Sequence, residues 1–394
     1  MNQRELFLKH VAQTSANPLA LEIVKAEGCN LWDKDGNLYI DLISGISVCN
    51  VGHRNPQVIS AIKDQLDRYL HLMVYGELVE SPQVLYAQKL ASLLPDSLNC
   101  VYYTNSGAEA TEAAMKLAKR VTGRTNMVAF HESYHGSTQG ALSVMGSEYW
   151  RNAYRPLLPG ITHINHNDIE GLSCIDDQTA CVIAEPIQAE RGVLTPSVKW
   201  MHALRQRCNE TGTLLVLDEI QTGFGRTGTL FSFEQFGIVP DMLLLGKAIG
   251  GGMPLGALVS SRDNLMHFTE GPILGHITTF GGHPVSCAAG NAALHYLIDE
   301  KLMDGVPSKS TLFESLLKHP RILSFNASGL LISIEFESFE LNKKIIDYCI
   351  QRGVFTDWFL FASQCMRIAP PLIISEEQIK IACAIILEGC STVN

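Results

Sequence analysis

Two acidic residues and one lysine lie in unusually apolar surroundings in the middle of the chain. Asp218 and Glu219 follow the segment TLLVL at 213–217, and short runs rich in Leu and Val are typical of buried strands in a parallel sheet. Lys247 lies between LLLG and AIGGG. Burying either kind of charge without a partner is unfavourable. We therefore expect Asp218 and Lys247 to have a chemical role.

The two residue types together indicate one particular chemistry. A desolvated lysine loses its proton easily and can then attack an aldehyde to form a Schiff base. A carboxylate at a strand end can pair with a pyridinium nitrogen, which suggests pyridoxal phosphate (PLP) as cofactor. Taken singly, Lys247 would be read as a solvated surface charge and Asp218 as a turn residue. Their joint occurrence beside apolar sequence favours the functional interpretation.

A glycine pattern at 223–228, GFGRTG, offers a competing interpretation. It matches the dinucleotide fingerprint and would make the protein an NAD-dependent dehydrogenase. That fingerprint should open a helix directly after its strand. Here DEIQ intervenes and FSF follows soon after, so the dehydrogenase is a remote alternative.

A phosphate site is predicted at 106–108. Ser106, Gly107 and Ala108 lie between the expected strand 101–103 and the expected helix 110–119. Free N–H groups and the dipole at a helix N-terminus favour an anion. Ser106 could equally be a simple N-cap.

Further candidates follow other expected strands. Tyr134 comes after strand 127–130 and could stack on a flat cofactor ring, although packing in the core is the common alternative. For His135 we expect a structural or polar-network role. Glu185 ends strand 181–184, where ligands of parallel sheets usually bind.

Four polar residues could complete such a site. Gln221 could bind a ring oxygen, and Thr279 lies in a hydroxyl- and glycine-containing loop that could reach a phosphate. Arg367 is an isolated arginine between apolar residues and suits a substrate carboxylate, with a structural ion pair as the alternative. Glu190 lies five residues beyond Glu185, and a solvated surface position is its alternative.

Short apolar runs alternate with helical segments from residue 101 to about 290, which predicts an α/β fold with a mostly parallel sheet. Helices are also expected from Pro56 and over 82–94. Beyond 290, a helix at 292–299, a strand at 330–336, a helix at 341–352 and a helix from Glu376 predict a smaller α+β domain. A hairpin at 31–41 could complete it. The expected division is 46–290 for the large domain, and 1–45 with 291–394 for the small domain.

Composition excludes several classes of protein. The chain has 394 residues and a formal net charge of −10, which argues against a nucleic-acid partner. No apolar run is long enough for a membrane span, and no apolar signal core follows the first residues. Eleven cysteines are scattered without a Cys-x-x-Cys pair, which favours reduced thiols in a cytoplasmic protein over disulfides or a metal site.

Several of these segments resemble one enzyme family. NSGAEATEAAMKLAK, YHGST, EPIQAERGV, LLVLDEIQTGFGRTG, PDMLLLGKAIGGGMPLGA, TTFGGHP and RIAPPL are similar to class III aminotransferases of the ornithine, acetylornithine and 4-aminobutyrate type. These are PLP enzymes of fold type I, and the resemblance covers nearly the whole chain. It implies a homodimer with active sites at the subunit interface and a small domain built from both termini.

The resemblance also implies roles for the candidates. Lys247 would carry the Schiff base and shuttle a proton, Asp218 would hold the pyridinium proton, and Gln221 would contact the ring hydroxyl side. Ser106, Gly107 and Ala108 would bind the phosphate with Thr279 of the partner subunit, and Tyr134 would stack on the ring. Arg367 would grip a substrate carboxylate and Glu190 would pair with it when an amine binds.

One position departs from the family pattern. In the ornithine, acetylornithine and 4-aminobutyrate enzymes, an arginine that binds a carboxylate follows YHG or FHG, and here Ser137 takes its place. Serine supplies no charge, and YHGST is more like the ω-amino acid or amine:pyruvate transaminases. The expected activity is transfer of an amino group from an amino acid or ω-amine to an oxo acid. An aminomutase, racemase or decarboxylase on the same fold remains an alternative.

Overall fold

The computed structural model describes residues 2–393, which form three sheets surrounded by helices. The strands are β1 Ile23–Glu27, β2 Asn30–Asp33, β3 Leu38–Asp41, β4 Cys100–Thr104, β5 Asn126–Phe130, β6 Ile161–Ile164, β7 Thr179–Ala184, β8 Leu214–Asp218, β9 Met242–Leu245, β10 Gly256–Ser260, β11 Ser324–Ser328, β12 Leu331–Glu335, β13 Val354–Phe355, β14 Asp357–Trp358 and β15 Cys365–Ile368.

The helices range from single turns to the long segments that cover the sheets. They are α1 Gln3–His10, α2 Ser44–Ser47, α3 Pro56–Leu66, α4 Ser81–Ala91, α5 Gly107–Thr122, α6 Gln139–Val144, α7 Glu148–Arg151, α8 Val198–Thr211, α9 Arg262–Met266, α10 Pro284–Asp299, α11 Val306–Leu316, α12 Phe339–Gln351 and α13 Glu376–Thr392. The short α2 contains left-handed backbone at Gly45 and Ile46. None of these helices is both long and apolar enough to cross a membrane.

The central sheet has seven strands in the order β4-β10-β9-β8-β7-β5-β6. Only β10 runs against the others, pairing antiparallel with β4 and with β9. The predicted α/β fold with a mostly parallel sheet is therefore confirmed. The carboxyl ends of β4, β5, β7, β8 and β9 all lie at one edge, which is where ligands of such sheets bind.

Two strands of this sheet were not predicted. Strand β10 has the sequence GALVS and begins with a glycine, a residue that weakens strand propensity, and β6 is the four-residue segment ITHI. Both are held by pairing with neighbouring strands rather than by their own pattern: β10 lies between β4 and β9, and β6 pairs with β5.

Helix α5 shows why the sheet can be covered so closely. Its buried face consists mainly of Ala110, Ala113, Ala114, Leu117 and Ala118, and small side chains let a helix backbone approach the sheet. The helix begins after the N-cap Ser106 and ends at Gly123, whose φ of 69° is the left-handed conformation that favours glycine. The predicted helix 110–119 is thus longer by a few residues at each end.

The predicted N-terminal hairpin is confirmed and is joined to the C-terminal part of the chain. Strands β2 and β3 pair around a turn in which the Asp33 carboxylate accepts hydrogen bonds from the backbone N–H groups of Asp35 and Asn37. Strand β3 then pairs in parallel with β13. The four-stranded sheet β1-β2-β3-β13 therefore combines strands from the N-terminal and C-terminal parts of the chain.

The second small sheet, in the order β11-β12-β15-β14, carries Arg367 on β15. The remaining predicted helices and the strand 330–336 are found with ends displaced by up to a few residues. The exception is 292–299, which is part of the longer α10. Because α10 crosses residue 290, the expected division at that position falls inside one helix, and the domain limits stay a prediction.

The glycine pattern at 223–228 opens no helix, because these residues lie in turns. Its Arg226 is fully buried, and its guanidinium donates to the carbonyls of Leu330 and Pro370 and to the side chains of Ser44 and Asn50. The segment joins distant parts of the chain rather than forming a dinucleotide loop.

Candidate active site

An open cavity with about 700 Å³ of empty space lies at the carboxyl edge of the central sheet. Most of the residues predicted from the sequence line it: Gly107, Ala108, Tyr134, His135, Ser137, Glu185, Glu190, Asp218, Gln221 and Lys247. The structure thus brings together side chains that follow β4, β5, β7, β8 and β9.

Lys247 lies in a strained backbone conformation two residues after the end of β9. Its φ is 51°, which is rare for a residue with a side chain and is often found at functional sites. The Nζ atom donates a hydrogen bond to Oε1 of Gln221 at 2.6 Å. Burial lowers the pKa of Lys247 to about 8, with Arg367 acting in the same direction and Glu190 opposing it. A substantial fraction of this lysine is therefore a neutral amine near physiological pH.

Asp218 is the last residue of β8, and its carboxylate is fixed from two sides. Oδ2 lies 2.7 Å from Nδ1 of His135, and Oδ1 accepts the backbone N–H of Ile220 at 3.0 Å. Burial alone would lower the pKa of His135, but the hydrogen bond and charge of Asp218 raise it overall. The hydrogen bond to Asp218 places His135 in a polar network, and a role of His135 in cofactor binding stays a prediction.

Glu185 follows β7 and forms the next part of the wall. Its carboxylate accepts the backbone N–H groups of Tyr134 and Ala189 at 2.9 and 3.1 Å. Burial raises its pKa to about 7, helped by the nearby charge of Asp218. Glu185 fixes the backbone of Tyr134, so its contribution to the site includes holding the loop after β5 in place.

The predicted phosphate site is formed by the N-terminus of α5. Gly107 and Ala108 line the cavity, whereas Ser106 is exposed and its Oγ caps the helix by accepting the N–H of Glu109. A Cβ at Gly136 would lie 2.5 Å from Cβ of Ala108. The loop after β5 therefore packs directly against the helix start.

Ile220 is a lining residue that the sequence did not single out. A Cβ at Gly107 would lie 2.6 Å from its Cδ1, and a Cβ at Gly246 would lie 2.9 Å from its Cγ2. Both glycines are needed because the Ile220 side chain fills the space between α5 and the lysine loop. An apolar residue between an acid and a glutamine gives no signal of this role in the sequence.

Glu190 and Arg367 form a buried ion pair beside the cavity. Two nearly parallel hydrogen bonds join them, Nη1 to Oε1 at 3.0 Å and Nη2 to Oε2 at 2.9 Å. The charge of Arg367 keeps the pKa of Glu190 low although burial acts to raise it. Bidentate pairs of this kind are strong and directional. A carboxylate of a ligand could replace Glu190 only by competing for the same two nitrogens.

Arg367 has three further neighbours. Its Nη2 donates to the Trp358 carbonyl at 2.9 Å, and its Cζ lies 4.7 Å from the centre of the Phe359 ring. Nε lies 3.1 Å from Oδ1 of Asp357. Asp357 was missed in the sequence because its position depends on pairing between β14 and β15, where it lies directly opposite Arg367.

Two other predicted residues, Ser137 and Thr279, lie at the rim of the cavity or outside it. Ser137 is exposed at the rim, and its Oγ lies 3.1 Å from the hydroxyl of Tyr134. Thr279 is exposed and lies outside the residues that line this chain's cavity. Arg191, the cation nearest in sequence to Glu190, makes an ion pair with Glu132 at 2.6 Å instead of pointing a free charge into the cavity.

The cavity fits a planar pyridine carrying a phosphate. Its buried polar atoms without partners include Nε2 of Gln221 and Nε2 of His135, and the N–H groups at the start of α5 can receive an anion. Asp218 supplies the carboxylate for a protonated ring nitrogen, and Lys247 supplies the amine. Unsatisfied buried donors beside an open cavity are what a site for a polar ligand requires.

Fold and site together define a PLP-dependent enzyme of fold type I that acts on amines. The sequence profile of the family described as Aminotransferase class-III matches residues 11–388. The chain belongs to this family and is an aminotransferase.

Individual relatives are similar in sequence to this chain along almost its full length. The chain is 37% identical to acetylornithine aminotransferase of Methanopyrus kandleri, covering 98% of this chain and 97% of the relative. It is 39% identical to putrescine aminotransferase of Pectobacterium atrosepticum, over 94% and 81% of the two chains. It superposes on an ornithine aminotransferase structure from Toxoplasma gondii, described with partial PLP occupancy, with a TM-score of 0.90 and 30% identity, covering 99% and 93%.

Proposed function

We propose that the enzyme transfers an amino group from an ornithine- or acetylornithine-like amino acid, or from another ω-amine, to an oxo acid. The proposal depends on one observation: Lys247 and the Asp218–His135 pair line the same cavity, which the Glu190–Arg367 pair borders. PLP, when bound, supplies an aldehyde carbon and an electron-withdrawing ring. The protein supplies the binding, the orientation and the proton transfers.

Lys247 is the proposed proton carrier. Its Nζ is a neutral amine in part of the population near pH 7 to 8, because burial lowers its pKa to about 8. It can remove a proton from the substrate carbon and return it elsewhere, as general acid–base catalysis requires. The hydrogen bond to Oε1 of Gln221 fixes the position of Nζ in the cavity.

Asp218 is proposed to keep a proton on the ring nitrogen of the cofactor. His135 fixes Oδ2 and the backbone of Ile220 fixes Oδ1, so the carboxylate does not need to reorient during the reaction. A preorganised charge of this kind stabilises the charge that develops in the transition state. Tyr134 is proposed to stack on the ring, and Gly107 and Ala108, with Ser106 as cap, to bind the phosphate.

Arg367 is proposed to bind a substrate carboxylate after Glu190 releases it. With an amine that lacks a carboxylate the pair stays closed, so the same site accepts both kinds of donor. Relatives named for acetylornithine and for putrescine fit these two cases. Ser137 would contact the substrate at the rim.

For the acceptor we propose an oxo acid with a single carboxylate, such as pyruvate. Among residues 2–393, the residues of the cavity lining that can carry a positive charge are Lys247 and His135. Arg367 lies beside the cavity and is paired with Glu190. Ser137 has no charge and Arg191 is bound to Glu132. A second carboxylate, as in 2-oxoglutarate, would have no free cation to meet within this chain.

A donor and acceptor panel with purified holoenzyme tests both proposals. We expect amino transfer from ornithine, acetylornithine or diamines to pyruvate, with weaker transfer to 2-oxoglutarate. Ser137→Arg should improve kcat/KM for 2-oxoglutarate roughly tenfold, the value of one added charge-assisted pair, and Ser137→Gln is the uncharged control. Unchanged use of 2-oxoglutarate in Ser137→Arg would contradict the proposed role of this position.

We also propose that the enzyme is a homodimer and that Thr279 serves the partner's site. The supporting observation is an exposed apolar surface on the loop that carries Thr279 and on the segment before α4, with Ile273, Phe280 and Val79 exposed by 79%, 54% and 93%. Monomeric proteins rarely expose such clusters. The eleven cysteines are all free thiols, which supports the proposed cytoplasmic location.

Mixing two inactive variants tests the shared site. Lys247→Ala lacks the amine, and Thr279→Asp should repel the phosphate. If Thr279 acts in the partner's site, a mixed dimer contains one site with both native residues, and activity should return on mixing. If Thr279 acts in its own chain, or if the protein is a monomer, mixing should restore none.

A further inference from the structure

Arg367 lies between two carboxylates, and the second of them has no part in the function described so far. Glu190 binds the Nη edge, and Asp357 approaches Nε to 3.1 Å. The Asp357 contact is an ion pair without the alignment of a hydrogen bond, because neither Nε nor Oδ1 has a hydrogen-bond partner. One guanidinium therefore faces two acids, and the three side chains together carry one excess negative charge when both acids are ionised.

Asp357 is held in this position independently of Glu190. It lies opposite Arg367 in the pairing of β14 with β15, and the neighbouring Thr356 hydroxyl donates to the Arg367 carbonyl at 2.5 Å. Helix α12 packs on β14 through the Phe339 ring against Trp358. When Glu190 moves away, these backbone contacts leave the Asp357 charge beside Arg367.

We propose that Asp357 is a positioning residue that acts through Arg367 to reduce the affinity of the site for substrates that carry a carboxylate. This proposal relies on the aminotransferase function and on Arg367 as the carboxylate site. A substrate carboxylate that displaces Glu190 from Arg367 lies next to Asp357, and the site then holds three carboxylates for one guanidinium. An amine without a carboxylate adds none, so the penalty falls on one substrate class only.

The surroundings of Asp357 make the effect depend on pH. Its side chain is one quarter exposed. Burial raises its pKa to about 6, although Arg367 acts to lower it, while Glu190 and Asp41 act to raise it further. Asp41 itself lies 2.7 Å from His53. Protonation below pH 6 removes the charge that opposes a substrate carboxylate, and deprotonation above pH 6 restores it.

The expected result is a change in KM that is specific to carboxylates. In the holoenzyme, Asp357→Asn should lower KM for pyruvate about fivefold at pH 7.5, a factor set by the loss of one nearby like charge. KM for a diamine and kcat should change little. Asp357→Glu keeps the charge and should behave as the wild type. The dissociation constant of butyrate, which does not react, should follow KM for pyruvate when measured by calorimetry.

The pH profile separates this role from a purely structural one. In the wild type, the affinity for butyrate should be higher at pH 5.5 than at pH 7.5, with a midpoint near 6. In Asp357→Asn, the affinity for butyrate should no longer change with a midpoint near pH 6. A pH dependence that arises from Glu185 should remain. If a variant fails to fold, the pH dependence of butyrate binding by the wild type still tests the proposal.

Two outcomes would overturn the proposal. Unchanged affinity for butyrate in Asp357→Asn shows that the charge has no effect, and weaker affinity shows that Asp357 only holds Arg367 in place. A failure of the aminotransferase function looks different, because no donor then supports transfer in the wild type while the binding measurements with butyrate can still be made.

Discussion

The two ends of the active site are built in different ways. At the cofactor end, Asp218, His135 and Lys247 are attached to the carboxyl edge of the central sheet, and each has a fixed partner. At the substrate end, Arg367 comes from a separate small sheet and meets Glu190 across an ion pair that a ligand can replace. The first arrangement is suited to holding one cofactor permanently, and the second to exchanging between ligands.

In the proposed function, this difference combines fixed chemistry at the cofactor with an exchange of ligands at Arg367. A preorganised carboxylate needs to stay in place through the reaction. A carboxylate-binding arginine in a buried site needs a substitute partner whenever the substrate has no carboxylate, since an unpaired buried charge is costly. Glu190 is the proposed partner, and its charge also acts to raise the pKa of Lys247.

The largest effect is expected from Lys247. Lys247→Ala should remove the visible absorbance of the cofactor bond and reduce turnover by on the order of 10⁴-fold or more, since general acid–base catalysis alone contributes up to this amount. Steady-state assays and absorbance spectra of the reconstituted protein check this. Lys344→Ala, on an exposed lysine of α12, is the control. Multiple turnovers by Lys247→Ala would exclude the proposed role.

Asp218 and Glu219 provide a matched pair of adjacent acids. Asp218→Asn should lower kcat by roughly 10² to 10³, the usual value of one preorganised electrostatic contact. Glu219 instead accepts the backbone N–H groups of Ser232 and Phe233 at 2.7 Å each. Glu219→Gln should therefore affect thermal stability more than kcat. Similar kcat losses in both variants would mean that the two acids are not functionally distinct.

Replacing Arg367 should affect substrates with a carboxylate and substrates without one to different extents. Arg367→Met should raise KM for pyruvate roughly 30- to 150-fold, the loss expected for a charge-assisted pair worth about 2 to 3 kcal/mol. The half-reaction with a diamine should change much less. Single-turnover measurements of each half-reaction resolve the two effects. An equal loss with both substrates would indicate that Arg367 supports the fold rather than the carboxylate.

The smallest effect concerns the pH dependence of cofactor attachment. Because burial lowers the pKa of Lys247 to about 8, its neutral fraction rises with pH and is nearly complete by pH 9. The rate at which apoenzyme recovers PLP absorbance should rise about tenfold from pH 7 to a plateau above pH 9. This factor is expected because pH 7 lies one unit below the pKa of Lys247, where about a tenth of the lysine is neutral. A rate that still increases beyond pH 10 would indicate an ordinary lysine.

The cofactor end could be predicted from sequence because its signals are local. Asp218 and Lys247 each lie next to the apolar strand that positions them, and Gly107 lies at the start of a clear helix. Ser106 shows the limit of this approach, since its hydroxyl is used by its own helix as a cap. The α/β fold followed from the same alternation of short strands and helices.

The substrate end was less predictable because it depends on contacts between distant segments. The pairing of Arg367 with Glu190 spans 177 residues and was expected only from the family resemblance. Asp357 lies on a two-residue strand whose position is set only by its partner strand. Strand β10 was missed for the same reason, since it is fixed by two neighbours rather than by its own sequence.

Chemical trapping tests the central claim most directly. Borohydride reduction of the PLP-reconstituted protein, followed by mass spectrometry of its peptides, locates the lysine that binds the cofactor. We predict one adduct per chain, on the peptide containing Lys247. An adduct on a different lysine, or none in a protein that retains transaminase activity, would contradict the assignment of this cavity as the active site.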